Sequence, residues 1–265
     1  MKLTLIITTF NWPESLILVL NSIKLQVIPP DEIIIADDGS NKETKDIVDQ
    51  FKNESDIHLI HSWQEDRGFR AARSRNNAII LSSGEYIVLI DGDTIIHPSF
   101  IKDHIINAEP GFFVQGSRAL LSKEVSKKFL TEKKISFSLF LPKLKNRKNS
   151  IHSPFFSRFF SNKKNNLDGV KSCNMGFYKK DCINVNGFNN DFEGWGREDS
   201  EFVVRLLNSG INRKNIRFNA IQFHLWHNEN SRISLEKNDA ILHNAIKNFS
   251  DWCENGLDSI KKYES

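Results

Sequence analysis

The 265-residue sequence predicts an α/β domain with a mostly parallel central sheet flanked by helices. Three observations lead there. Over the first 115 residues, short apolar runs rich in Ile and Leu alternate with longer segments of helical periodicity. The run Tyr86-Ile-Val-Leu-Ile90 is apolar without interruption, as in a strand buried on both faces. The clusters Thr8-Thr9-Phe10-Asn11, Asp37-Asp38 and Asp91-Gly92-Asp93 each follow a strand run, where open α/β sheets collect ligands.

The elements follow in order. Leu3 to Thr8 reads as the first strand. In Asn11-Trp-Pro-Glu14, Asn11 suits a helix cap, Pro13 the first turn and Glu14 the capping-box position, and the helix should run to about Leu25. Glu32 to Ala36 is the second strand, Asp37 to Ser40 its exit turn, and Glu43 to Asn53 a helix. Ile57 to His61 is the third strand, Ala71 to Leu81 a helix stopped near Gly84, and Tyr86 to Ile90 the fourth strand. Pro98 should open a helix to about Asn107, with Phe112 to Gln115 returning as a strand. Order then resumes near Val170. Phe202, Val203, Leu206 and Leu207 form a helical stripe ended by a cap at Gly210. Ile216 to Phe223 reads as a late strand, and Leu235 to roughly Lys262 as a helical tail.

Composition narrows the class. With 39% hydrophobic residues the chain has ample material for a core. A net charge of +3 is too mild for the concentrated field that phosphate-backbone binding needs, so no nucleic acid is expected. Cys173, Cys182 and Cys253 are odd in number and lack CxxC spacing, which argues against a disulfide framework or structural zinc and for a reducing compartment. The start has an apolar run of five residues without a cleavage site, and no stretch reaches the roughly 18 to 20 apolar residues of a membrane span. The expected location is cytoplasmic, with a peripheral position on the inner face of the membrane left open.

One segment differs. From 122 to 166, lysines and arginines mingle with Phe137, Phe140, Phe155, Phe156, Phe159 and Phe160, and only Glu124 and Glu132 oppose the charge. Basic residues with interspersed rings suit contact with anionic headgroups, and equally suit a surface insertion packing its own aromatics.

Two carboxylates flanking Gly92 can hold one hard divalent cation, Mn²⁺ or Mg²⁺, which favours oxygen ligands and keeps positions open for phosphates. A polar strand-to-loop turn has the same composition.

Together, LTLIITTFNWPESLILVLNSI, EIIIADDGSNKET, DRGFRAARSRNNAI and GEYIVLIDGDT, in this order and spacing, resemble glycosyltransferase family 2 with its GT-A nucleotide-sugar fold. The later NMGFYKKDCINVNGFNNDFEGWGREDSEFVVRLLNSG is similar to the carboxyl-terminal part of galactosyltransferase-type and chondroitin-polymerase-type enzymes. The resemblance implies a single domain with a donor-binding half at 1–118, a basic aromatic insert at 119–169, an acceptor-binding half at 170–230 and a tail at 231–265. It implies a UDP-sugar donor held by Thr9, Asn11, Asp38 or Asp37, Arg75 and Asp91, with Arg70 and Arg73 as weaker candidates. Asp93 is the expected direct metal ligand, completed by His227 and secondarily His224. Asp199 is the expected base toward the acceptor hydroxyl, Glu198 an acceptor-hydroxyl ligand, and Trp195 a flat surface for a sugar ring. General-base assistance of this kind contributes about 10²- to 10⁴-fold. Acidic residues also favour any helix N-terminus, by about 0.3 to 1 kcal/mol, which accounts for Glu198 and Asp199 equally. The chain departs from the galactosyltransferase pattern at Arg197, where a third glycine is common.

The resulting expectation is an inverting, metal-dependent transferase moving a hexose or N-acetylhexosamine from UDP to a saccharide or lipid-linked saccharide in bacterial surface polysaccharide or lipopolysaccharide synthesis. A membrane contact through 122–166 is part of it. Two alternatives share the fold: a sugar nucleotidyltransferase, opposed by TTFNWPES standing where a glycine-rich loop would cradle a triphosphate, and a non-catalytic carbohydrate- or membrane-binding module.

Overall fold

The computed structural model describes residues 1–229 and 231–261. Strands β1 (Leu3–Thr9), β2 (Glu32–Asp37), β3 (His58–Trp63) and β4 (Tyr86–Asp91) lie parallel in the order β3-β2-β1-β4. The side-chain period of two divides the core. Leu3, Leu5 and Ile7 face one layer with helices α1 (Pro13–Lys24) and α2 (Lys42–Glu54), while Ile6 faces the other with α3 (Ala71–Leu81). The register sets Thr9 beside Asp37 and Thr8 beside Asp91, so the polar residues at three strand ends stand in one row.

The start of α1 differs from expectation. Asn11 adopts a left-handed φ of 43°, and the cap position falls to Trp12, whose side chain caps nothing. The Asn11 N–H donates to Ser40 Oγ and its Oδ1 accepts from Asn41 N–H, which ties the loop after β1 to the loop after β2. Pro13 does occupy the first turn, where its missing N–H costs nothing.

Beyond β4 come β5 (Thr94–Ile96), α4 (Phe100–Asn107), β6 (Phe112–Gln115), β7 (Ala119–Leu120), α5 (Lys123–Glu132), α6 (Pro154–Phe160) and β8 (Asn162–Lys163). They are followed by β9 (Asn174–Tyr178), α7 (Lys179–Asn184), α8 (Glu198–Asn208), β10 (Asn212–Asn215), β11 (Gln222–His224), α9 (Leu235–Lys247) and α10 (Leu257–Lys261). The large sheet runs β3-β2-β1-β4-β9-β6-β10-β8, with β9 and β8 antiparallel to their neighbours, and β5-β11-β7 form a smaller sheet. Because β9 threads between β4 and β6, the two halves of the chain share one sheet. At its centre Gly176 is required: a Cβ there would come within 2.5 Å of Tyr86 Oη and 2.7 Å of His104 Nδ1.

Three expected elements take other forms. The helix after Pro98 starts at Phe100 behind Ser99. The late strand Ile216–Phe223 is replaced by β10 and β11, one in each sheet, with Phe218 and Ala220 left-handed between them and the Ala220 N–H given to Asp103 Oδ2. The tail breaks into α9 and α10 around Phe249, whose φ is 50°; its expected end at Lys262 lies outside the described residues. Gly210 caps α8 as expected: it donates to Leu207 O and Ile211 to Leu206 O, the paired bonds of a Schellman motif.

Part of the insert is well packed. Ser122 caps α5 by accepting Val125 N–H, and Val125, Phe129 and Leu144 join Phe223 and Leu225 in a third core cluster.

Candidate active site

Side chains from both halves converge on one cleft of roughly 1000 Å³ outside the carboxyl ends of β1 and β4. Thr9, Asp38, Arg75, Asp91, Asp93, Trp195, Glu198, Asp199, His224 and His227 all line it. Asn11 and Asp37 do not. Asn11 is spent on the loop contact described above, and Asp37 is buried with Oδ1 accepting from Gly39 and Ser40 N–H and Oδ2 2.8 Å from His61. Neither Arg70 nor Arg73 lines the cleft. Arg70 contributes through its backbone, donating its N–H to Asp38 Oδ2 at 2.7 Å. Gln64 donates to the other Asp38 oxygen, and burial raises the Asp38 pKa.

The backbone around Asp93 is built for close approach. Gly92 donates its N–H to Thr8 O at 2.7 Å, and Ser15 Oγ donates to Gly92 O at 2.6 Å. A Cβ at Gly92 would sit 2.9 Å from Thr9 Oγ1, so the residue between the two aspartates must be small. Strand β11 pairs with β5 so that His224 faces Thr94, and Leu225 N–H donates to Asp93 O. Asp93 Oδ2 then lies 3.3 Å from His224 Nε2 and 3.2 Å from His227 Nε2. The three ligand atoms fall within 4.8 Å of one another. Asp93 Oδ1 is buried and has no hydrogen-bond partner among the described residues. An orphaned buried carboxylate oxygen costs about 1 to 3 kcal/mol or more unless something satisfies it. One carboxylate with two imidazoles suits Mn²⁺ and other first-row divalent ions, so these residues fit a cation. Burial lowers the His224 pKa, while the hydrogen bond to Asp93 raises that of His227.

Arg75 links the two halves. Its buried guanidinium lies 3.0 Å from Glu198, 3.5 Å from Asp91 and 3.2 Å from Thr8 Oγ1. Burial pushes Asp91 up to about 6, with Arg75 opposing the rise and Asp93 adding to it.

On the opposite side, Gly194, Gly196 and Arg197 are all left-handed, with φ of 75°, 105° and 78°. Glycine adopts such angles freely and arginine does not. The Arg197 side chain pairs with Asp239 of α9 at 2.5 Å. The turn starts α8, so Glu198 and Asp199 stand in its first turn, and Trp195 stays 40% exposed with Arg232 5.7 Å over its ring. Asp199 Oδ1 accepts Ser200 N–H at 2.7 Å. Burial first and neighbouring Glu198 second push Asp199 up to about 7. Beneath it, the buried pair Arg205–Glu201 is bidentate and Arg205 also donates to Val185 O and Gly187 O, anchoring α8 to the preceding loop.

Sequence reading missed several lining residues. Arg118 faces Cys173 at 3.7 Å and its charge acts on Asp91, Asp93 and both histidines; Lys123, Lys145 and Lys171 also line the cleft. For Lys123 and Lys145 the charge of the insert was the available signal, though nothing local tells which of its cations turn inward; Arg118 and Lys171 lie outside the insert and had no signal of their own.

The family model described as Glycosyl transferase family 2 matches residues 4–180. The chain belongs to this family. It is a glycosyltransferase, which decides against the nucleotidyltransferase alternative. A second family model, described as the N-terminal domain of galactosyltransferase, matches residues 155–228, and the two matches together run through the basic insert. The transferase is 29% identical over 240 residues to a hyaluronan synthase of Pasteurella multocida, covering 78% of this chain and 23% of that protein. It is 25% identical over 231 residues to a chondroitin synthase of Escherichia coli, covering 78% and 32%. The chain thus spans a quarter to a third of these curated relatives. Among solved structures, S. aureus TarS 1–349 in complex with UDP matches with a TM-score of 0.65 at 17% identity, over 94% of this chain and 66% of that one. A mannosyltransferase from Pyrobaculum calidifontis in complex with GDP-mannose and Mn²⁺ matches with a TM-score of 0.57 at 17% identity, over 84% and 56%. These likenesses establish the GT-A fold.

Proposed function

We propose that the transferase is inverting and metal-dependent, moving a hexose or N-acetylhexosamine from a UDP-sugar to a saccharide hydroxyl in the synthesis of a bacterial surface polysaccharide or lipopolysaccharide. The observation that carries this reading is the meeting, in one cleft, of the Asp93–His224–His227 cluster with the elevated carboxyl of Asp199. Structural neighbours bound to UDP and UDP-GlcNAc support the choice of donor.

Asp38 and Thr9 hold the uridine, with Asp38 accepting from the uracil N3–H. Asp93, His224 and His227 hold a divalent cation, Mn²⁺ or Mg²⁺, which when bound neutralises charge building on the leaving diphosphate. Asp91 serves the ribose or the cation's water shell, and Arg75 orients Asp91 and Glu198. Trp195 stacks on the acceptor ring while Glu198 holds one of its hydroxyls. Asp199 takes the proton of the attacking hydroxyl as its oxygen bonds to the anomeric carbon. The bond from that carbon to the UDP oxygen breaks with its electron pair leaving on UDP, and Asp199 passes the proton to water. Attack from the face opposite UDP inverts the centre, so an α-linked donor gives a β-linked product.

In this reading the donor half is 1–118 and the acceptor half 170–230, with 119–169 inserted between them. The acceptor is free or lipid-linked, and 122–166 contacts a membrane surface on the cytoplasmic side. Among the described residues no helix is long and apolar enough to cross a membrane. The test is incubation with radiolabelled UDP-sugars, Mn²⁺ and oligosaccharide acceptors. Label should enter a β-linked product only with metal present; α-linkage, or equal transfer with the metal chelated, would refute the reading.

A further inference from the structure

Helix α6 has two unlike faces. Phe155 and Phe159 are 65% and 70% exposed, and Phe156 and Phe160, about half exposed, lean on Phe218 at 5.8 and 5.5 Å. Four rings on one short helix, in i,i+4 pairs, form one exposed apolar patch, a kind of surface that can mark an interaction site. The opposite face, through Pro154, Ser157, Arg158 and Ser161, lines a cavity of about 540 Å³ together with Lys102, Lys163 and Lys214. Lys163 and Lys214 share Glu109 at 2.8 and 3.3 Å, whereas Lys102 and Arg158 have no acidic partner among the described residues. Asp103 at the cavity floor is turned to His152 and to Ala220 N–H. Arg147 and Lys148 precede the helix, and Lys164 and Arg217 flank its end.

We infer that α6 is a membrane-docking element: its phenylalanines enter the acyl boundary of an anionic bilayer, and the basic cavity behind them receives a lipid phosphate headgroup. Charge complementarity selects this occupant. A second copy would set one positive rim against another, whereas an anionic leaflet attracts each basic residue at its surface. Lys145 lines the catalytic cleft nine residues before Pro154, which puts the cleft within about 30 Å of the docked helix along the chain. The inference rests on the proposed transferase reading for its purpose, delivery of a lipid-linked acceptor, but not for its geometry.

Co-sedimentation of the full chain with phosphatidylcholine vesicles, with and without phosphatidylglycerol, tests it. Binding should require phosphatidylglycerol and weaken with salt. The double variant Phe155→Ser/Phe159→Ser should lose binding about tenfold or more, and Arg158→Gln about fivefold. Transfer to a soluble acceptor should be unchanged in both. Vesicle binding is read without sugar transfer, so failure of the transferase reading leaves this outcome untouched. Wild-type protein that ignores phosphatidylglycerol vesicles, or a Phe155→Ser/Phe159→Ser variant that binds them as well, would overturn the inference. So would a wild-type dimer in sedimentation velocity that this variant dissolves, since the patch would then join two copies.

Discussion

Replacing Asp199 by Asn removes the proposed base while preserving its surroundings. The Asn side chain keeps an Oδ1 that can accept Ser200 N–H, the 2.7 Å bond that fixes Asp199 in the wild type, and α8 remains anchored through Arg205 and Glu201. The donor contacts assigned to Asp38, Asp93 and the histidines lie on other elements. UDP affinity should therefore hold while transfer falls about 10²- to 10⁴-fold, a barrier increase of roughly 3 to 5 kcal/mol. The pH dependence sharpens the test. With Asp199 near 7, its basic form is the minority below neutrality, so kcat/KM should rise about tenfold per pH unit and level off above about 7. Glu198→Gln withdraws the neighbouring negative charge and should move that limb to lower pH. Radiolabelled transfer measured from pH 5 to 9, with UDP binding by calorimetry, reads all three. A variant Asp199→Asn that transfers at the wild-type rate, or a wild-type profile flat through neutrality, would refute the assignment.

Two further outcomes follow from the same geometry. His227→Ala removes one of two imidazoles facing Asp93 Oδ2 and should weaken Mn²⁺ binding by about 10- to 100-fold, read by titrating Mn²⁺ into the protein with UDP present; unchanged affinity would remove His227 from the metal set. Arg205→Ala strands the buried Glu201 carboxylate and should cost about 3 to 5 kcal/mol in urea unfolding, whereas a loss under 1 kcal/mol would show that α8 is held by its apolar face instead.

Much of the first 118 residues was legible because β1, β2 and β4 carry the apolar runs Leu5–Ile7, Ile33–Ala36 and Ile87–Ile90, with polar residues gathered at their carboxyl ends. The sequence around Asn11 misled because Asn-Trp-Pro has the chemistry of a helix cap, while the backbone turns left-handed to reach Asn41 and Ser40. Strand β9 escaped notice because Asn174 and Gly176 have poor strand propensity; its place is set by packing, with Gly176 admitting Tyr86 and His104 and Asn174 hydrogen-bonded to His104. The late strand was divided by the Asp103–Ala220 contact, a pairing 117 residues apart that no local pattern records. At the site, resemblance rather than periodicity pointed to His227 and Asp199. Arg118 carries no motif of its own, and only the fold turns it toward the two aspartates.

Asp93, with His224 and His227, is proposed to hold a cation beside the diphosphate of UDP. Calorimetric titration of UDP into wild-type protein and Asp93→Ala, each with Mn²⁺ and with chelator, tests it most directly. Wild-type affinity should depend on Mn²⁺, and Asp93→Ala should gain nothing from the metal. Equal UDP affinity in the wild type with and without Mn²⁺ would contradict it.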